Sequence, residues 1–209
     1  MYTGIVQGKY PVVSANMLPG LLQITLELPD ALMVDLTIGA SVAVDGVCLT
    51  VTAINGRRVA FDIMQQSLAV TSLGQLTVGT YVNVERSAKQ GAEIGGHLIS
   101  GHVDAMAELI AMKEPENNRF VSYQLPKELM KYLMPKGFVA VNGCSLTIAE
   151  IDKQHSQFTV CYIPETLKIT THGEKYVGDC VNIEIDRQTQ AIVDTVERIM
   201  AEQQMGAGQ

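Results

Sequence analysis

Two small polar pairs stand at matched places in this chain, and their chemistry sets the first question. Cys48 and Thr50 follow an Asp45-Gly46 turn, and Ser145 and Thr147 follow an Asn142-Gly143 turn 97 positions later. Cys and Ser are side chains that act as nucleophiles or hydrogen-bond a ligand, and a Thr two residues on shares the same strand face. A lone thiol is most often core packing. A position held by Cys in one place and Ser in its echo, each two residues before a Thr, reads instead as a binding or nucleophilic site. His97 and His102, in Gly95-Gly-His-Leu-Ile-Ser-Gly-His102, add imidazoles whose ordinary pKa near 6.5 suits proton transfer in both directions. Five residues apart, they face opposite sides of a strand, and no third ligand accompanies them, so no metal site is expected. One reads as a structural hydrogen-bonder and the other as a proton carrier, with His102 favoured for the chemistry. Gly4-Ile5-Val6 and Gly101-His102-Val103 offer close backbone approach with amide groups suited to a planar heterocycle, or else only serve strand geometry.

The elements that must position these residues come in duplicate. Val42–Val51 and Val139–Ile148 each read as a β-hairpin, two apolar runs around an Asx-Gly turn. The same 97-residue offset pairs Gly4 with Gly101, Leu28-Pro29 with Leu125-Pro126, and Leu32-Met33 with Leu129-Met130. After the loop containing His155 the offset becomes 99, pairing Leu68 with Leu167, Gly74 with Gly173 and Asn83 with Asn182. A two-residue loop insertion explains the step, so the chain is a tandem duplication. Turn residues every 8 to 12 positions predict short antiparallel strands in a sandwich or barrel, and one short helix per copy is expected after each Leu-Pro. The copies are expected at residues 1–97 and 98–187. Gly- and polar-rich residues 88–97 read as a linker. In the tail, residues 188–209, Ile192, Val193, Val196, Ile199 and Met200 recur at helical spacing. That amphipathic helix packs either on a barrel or on another subunit.

Several function classes are excluded. A net charge of −7 with no basic cluster argues against nucleic acid and anionic membrane. No apolar run reaches the roughly 20 residues that span a bilayer, and the start lacks a secretory signal. Four scattered cysteines without C-x-x-C spacing favour free thiols and a cytoplasmic location. No glycine-rich phosphate-binding motif is present. Where the copies differ they carry information: Cys48 matches Ser145, Ser41 matches Phe138, Gly39 matches Lys136, His102 matches Ile5 and Ser87 matches Asp186.

The chain resembles the riboflavin synthase family, α-subunit type, over residues 1 to about 200. The marks are Met1-Tyr-Thr-Gly-Ile-Val6, Asp45-Gly-Val-Cys-Leu-Thr-Val51, Gly95–Val103, Lys136-Gly137, Ile163-Pro-Glu-Thr-Leu167 and Val181–Asp186. The resemblance implies an all-β chain of two tandem six-stranded Greek-key barrels with a C-terminal helix that assembles a homotrimer. The implied reaction is dismutation of two 6,7-dimethyl-8-ribityllumazine molecules by four-carbon transfer, giving riboflavin and 5-amino-6-ribitylamino-uracil without metal or organic cofactor. The active site is then expected between the first barrel of one subunit and the second barrel of its neighbour. A lumazine synthase partner is a further association to consider. By resemblance Cys48 and Ser145 are candidate nucleophiles or ring contacts, Thr50 and Thr147 their hydrogen-bonding neighbours, and His102 a proton-transfer group. Asp186, Lys136 and Asn83 are polar members of the site. Substrate contacts are expected from Gly4, Ile5, Val6, Ser41, Leu49, Gly101, Val103 and Leu146. Further contacts are expected from Asp62, Ile63, Met64, Gln65, Gln66 and Ser67, and from Ile163, Pro164, Glu165 and Thr166. Two departures stand out: Tyr2 where the family has Phe, and Gln65-Gln66-Ser67 where the second copy keeps Pro164-Glu165-Thr166. The rival expectation from another class is a non-catalytic antenna similar to lumazine protein. That rival loses the polar pair in one copy, which this chain retains in both. A purely structural scaffold would need no matched polar pairs.

Overall fold

The computed structural model describes residues 1–116 and 118–206. Its first half holds β1 (Gly8–Leu18), β2 (Leu21–Glu27), β3 (Ser41–Val44), β4 (Val47–Asn55), β5 (Arg58–Met64) and β6 (Tyr81–Arg86). These close into an antiparallel barrel in the order β1-β2-β5-β4-β3-β6. The second half repeats it with β7 (Ala105–Lys113), β8 (Arg119–Gln124), β9 (Phe138–Val141), β10 (Cys144–Asp152), β11 (Gln157–Tyr162) and β12 (Cys180–Ile185). Pairing of β2 with β5 and of β3 with β6 is non-consecutive, the Greek-key connection, and closure leaves neither sheet a free edge. Along β4 and β10 every second residue points inward, so Leu49 and Val51, like Leu146 and Ile148, join their barrel's apolar core.

The expected helix after each Leu-Pro is a single turn in the first copy, α1 (Asp30–Met33), and a 3-10 segment, Lys127–Tyr132, in the second. Neither has the length to complete an α-helical ladder. Short helices α2 (Gln65–Val70) and α3 (Pro164–Ile169) follow β5 and β11 instead. The tail forms α4 (Arg187–Gly206), and residues 207–209 lie outside the described residues. Among the described residues no helix is long and apolar enough to cross a membrane.

The two barrels meet at their hairpin turns. Gly46 and Gly143 hold φ near 80°, and a Cβ on Gly46 would lie 2.6 Å from the Gly143 nitrogen. Around this contact the joint is built from reciprocal amides. Asn83 donates Nδ2–H to the Asn142 carbonyl (3.0 Å) and accepts the Thr171 N–H (2.8 Å). Asn182 mirrors it, with Asp45 and Ser72 as partners.

Asp45 is the one acid in this quartet of turn and strand residues. Burial pushes its carboxyl up to about 6, against the pull of the Asn83 N–H bond and of Lys175. Its proton is therefore held more tightly folded than unfolded, so stability is fullest below about pH 4 and falls as pH rises towards 6. Asp45→Asn keeps the acceptor that Asn142 supplies to Asn182 at the matching place. We expect it to gain about 2 kcal/mol at pH 8 and to flatten the slope between pH 4 and 6, read by urea unfolding at several pH values.

Candidate functional site

The backbone N–H of each small polar residue meets a segment from the opposite copy. The N-terminal segment leaves the first barrel and lies on the second: the Ser145 N–H donates to the Gly4 carbonyl (2.9 Å), and Val6 sits in the second core. Residues 99–103 do the reverse. The Cys48 N–H donates to the Gly101 carbonyl (2.8 Å), and Val103 packs against the first core. The two straps cross as a two-bond bridge between Tyr2 and Ile99. Each is tied to the last strand of a barrel by a carboxylate. Glu85 accepts Thr3 N–H (2.7 Å), Thr3 O–H (2.8 Å) and Gly4 N–H (3.1 Å). Glu184 accepts the matching three groups of Ser100 and Gly101. The strap glycines are required by contact as well as conformation. A Cβ on Gly4 (φ 76°) would lie 2.4 Å from Ser145 Cβ, and one on Gly101 (φ 84°) 2.5 Å from Cys48 Cβ.

On the outer surface of each barrel a ladder ends early, and the outward residues beside that gap are taken as its groove. Pairing of β4 with β5 stops at Val51 opposite Phe61, so Cys48–Thr50 and Asp62–Met64 part company beyond it. Cys48, Thr50, Asp62 and Met64 face outward there, with Ser41 across from Thr50 on β3. Asp62 accepts a hydrogen bond from Gln23 (3.0 Å). In the second barrel the β10–β11 ladder ends at Ile148 opposite Val160. Ser145 and Thr147 face outward, with Phe138 across from Thr147. Gln65–Ser67 open α2 and Pro164–Thr166 open α3, both without a side-chain cap. The Gln65 N–H donates to the Gly20 carbonyl (3.1 Å) and Pro164 has no N–H, which leaves the next N–H groups of each turn to donate. Met64 and Ile163 stay exposed at the groove ends. Leu49, Ile63 and Leu146 turn inward, so only their backbone borders a groove.

The second groove holds an acid–base arrangement. His97 Nδ1 lies 2.6 Å from Ser145 Oγ, and its ring stacks on Phe138 at 5.2 Å between centroids. Burial holds the imidazole below its ordinary value, with the Asp186 charge opposing, so the ring is neutral and able to accept a proton at pH 7. Asp186 caps α4: it accepts the Thr189 N–H (3.0 Å) and O–H (2.6 Å). Partial burial raises its carboxyl, but those bonds outweigh burial and leave it below the usual carboxylate range. Hydroxyl and imidazole thus form a hydrogen-bonded nucleophile–base pair, and the Asp186 carboxylate acts on the ring through its charge. His97 was read from sequence as the structural histidine, yet it is the one in contact with Ser145. Its equivalent would precede Met1, so the repeat gave no partner to mark it. Its signal was the glycine pair before it, since a Cβ on Gly96 would lie 2.6 Å from Ser145 Cβ.

In the first groove, Cys48 Sγ accepts a hydrogen bond from the Tyr2 hydroxyl (3.0 Å). His102 is exposed on the strap that carries Gly101. Lys136 adopts φ 66°, the left-handed conformation that Gly39 (φ 87°) holds in the first copy, with its N–H on the Ile148 carbonyl (2.8 Å). Strain of about 1 kcal/mol at a bulky residue is kept at functional places. Lys136→Gly should therefore cost no stability, where a new glycine normally costs about 0.5–1 kcal/mol. Thermal unfolding of the two proteins checks this.

Asn83 does not reach either groove. Both ends of its amide are committed to the inter-barrel joint and it is 1% exposed, so it acts on the grooves only through the joint. A separate cavity of about 950 Å3 opens between α1, Thr3–Gln7 and residues 85–95. Its lining includes Thr3, Glu85, Ser87 and Lys89 but neither Cys48 nor Ser145.

Comparison with known proteins agrees with this geometry. The lumazine binding domain model matches twice, over residues 3–87 and 100–186. The chain is 51% identical to the riboflavin synthase of Escherichia coli (strain K12) over 202 residues, 96% of this chain and 94% of that protein. It is 37% identical to the riboflavin synthase of Mycobacterium bovis, covering 96% and 98% of the two chains. Among solved structures, LumP complexed with riboflavin superposes with a TM-score of 0.82 at 28% identity, covering 90% of this chain and all of that one. LumP complexed with 6,7-dimethyl-8-(1'-D-ribityl) lumazine superposes with a TM-score of 0.80 at 26% identity and the same coverage.

Proposed function

The chain belongs to the riboflavin synthase family, two lumazine binding domains in one polypeptide, and on that footing we propose that it converts two 6,7-dimethyl-8-ribityllumazine molecules into riboflavin and 5-amino-6-ribitylamino-uracil. The observation that carries this reading is the unequal chemistry of two like grooves. One holds Ser145 against a neutral imidazole at 2.6 Å, and the other holds Cys48 under a phenol donor at 3.0 Å. Two identical substrates exchanging a four-carbon unit need one partner deprotonated and the other opened to attack. The C7 methyl of a lumazine is acidic because its carbanion delocalises into the ring. In the second groove Ser145 Oγ takes that proton and passes its own to His97 Nδ1, while Asp186 steadies the imidazolium. In the first groove Cys48 and Thr50 face the ring that accepts the carbanion, with His102 at the mouth. Holding both rings replaces much of the entropy cost of a bimolecular encounter.

Thr50 and Thr147 are exposed in the single chain, as expected of half-sites that close against a second copy. The exposed stripe Ile192, Val196, Ile199 and Met200 on α4 supports assembly, since Val193 alone of the expected stripe packs on the second barrel. We place a homotrimer contact on that stripe. Val196→Asp with Ile199→Asp should turn the trimer into monomers by light scattering and lower activity with it. An unchanged mass would move the contact elsewhere. All four cysteines are free, which fits a reducing cytoplasm.

Purified protein mixed with 6,7-dimethyl-8-ribityllumazine alone should generate riboflavin fluorescence. Ligand binding without turnover would support an antenna role instead.

A further inference from the structure

The crossing straps deliver a different polar side chain to each small polar residue: His97 to Ser145 in the second groove, Tyr2 to Cys48 in the first. We propose that Tyr2 is a positioning residue for the first groove, whose hydroxyl fixes the Cys48 sulfur in its reactive pose and steadies negative charge that develops on it. The proposal deepens the synthase reading and rests on it for its kinetic arm.

The geometry is specific. The Tyr2 side chain is 1% exposed, and its hydroxyl points at Sγ. Its backbone is pinned on both sides, by two bonds to Ile99 and by Glu85 on the following Thr3 and Gly4. Tyr2 packs against the Gly101 backbone as well, where a Cβ would lie 3.0 Å from the Tyr2 ring. A phenol held this rigidly gives sulfur one direction of donation, which selects one side-chain rotamer for Cys48. Burial raises the Tyr2 phenol far above its ordinary value, so the hydroxyl stays a donor throughout the working pH range and cannot serve as a base. A donor fixed on sulfur is also placed to meet charge that develops there. The same argument explains why the two grooves are not interchangeable. The strap gives the second groove a proton acceptor and the first a fixed donor. A phenylalanine at position 2 would fill the same space and leave sulfur without that bond, so the contact is a property of this chain's own residue.

Tyr2→Phe removes the hydroxyl and keeps the ring, which preserves the packing. We expect kcat to fall about five- to tenfold with KM within about twofold. Iodoacetamide labelling of Cys48 at pH 8, mapped by peptide mass, should slow at least threefold, while Cys161 and Cys180 label at unchanged rates as internal controls. The kinetic effect should disappear in a Cys48→Ala background, where Tyr2 has no sulfur to hold. Unchanged labelling of Cys48 in Tyr2→Phe would overturn the proposal, and so would an equal loss of kcat with and without Cys48. The labelling arm needs no turnover. If the unaltered protein made no riboflavin, the synthase reading would fail while slowed labelling still upheld the Tyr2–Cys48 contact.

Discussion

Replacing His97 by Gln is expected to lower kcat by about 100- to 1000-fold, the range for removal of a general base, with little loss of thermal stability. Gln can still hydrogen-bond the Ser145 hydroxyl and occupy the space over Phe138, so the groove keeps its shape. What it cannot do is accept a proton. Because burial sets the His97 imidazole below its ordinary value, the unaltered protein should hold its rate at pH 7 and lose it only on the acid side, as His97 becomes protonated. The His97→Gln residual activity should lack that acid limb. Steady-state rates from pH 5 to 8 check both statements. A His97→Gln protein with near-normal kcat would return His97 to the structural role that the sequence alone suggested.

The second large effect belongs to the joint between the barrels. Gly46→Ala should cost about 2–5 kcal/mol, from two sources. The left-handed φ of 80° costs about 1–2 kcal/mol for a residue with a Cβ. The new methyl would also lie 2.6 Å from the Gly143 nitrogen, and a clash with backbone forces the two barrels apart at a cost of about 1–3 kcal/mol. Gly79→Ala separates the terms, because φ there is 91° and nothing lies within 4 Å of its Cβ position. It should lose only the conformational part. Urea unfolding of the two variants gives the comparison, and equal losses would remove the contact from the account.

The sequence carried the duplication, the two hairpins and the outward pairing of Cys48 with Thr50 and Ser145 with Thr147, because strand alternation and Asx-Gly turns are local. The crossing of the straps was not legible. It depends on backbone contacts made through Gly4 and Gly101, and a glycine in a repeat looks the same whether it serves a strand or an approach by the other copy. The contact of His97 with Ser145 was not legible for a related reason: His97 lies in a stretch that composition marks as linker, and the contact comes from tertiary placement beside Ser145 and Phe138. Family resemblance alone drew Asn83 towards the site. Its amide instead satisfies the joint, a need that exists only once two barrels abut. Tyr2 was visible as a departure, but the partner for its hydroxyl came only with the fold.

The central claim is that each chain holds two lumazines, one per groove, and the direct measurement is calorimetric titration of the slow His97→Gln protein with 6,7-dimethyl-8-ribityllumazine. The account predicts two molecules bound per chain, falling to one when Gly101→Val pushes the strap off Cys48. A single molecule per chain in His97→Gln alone would contradict it.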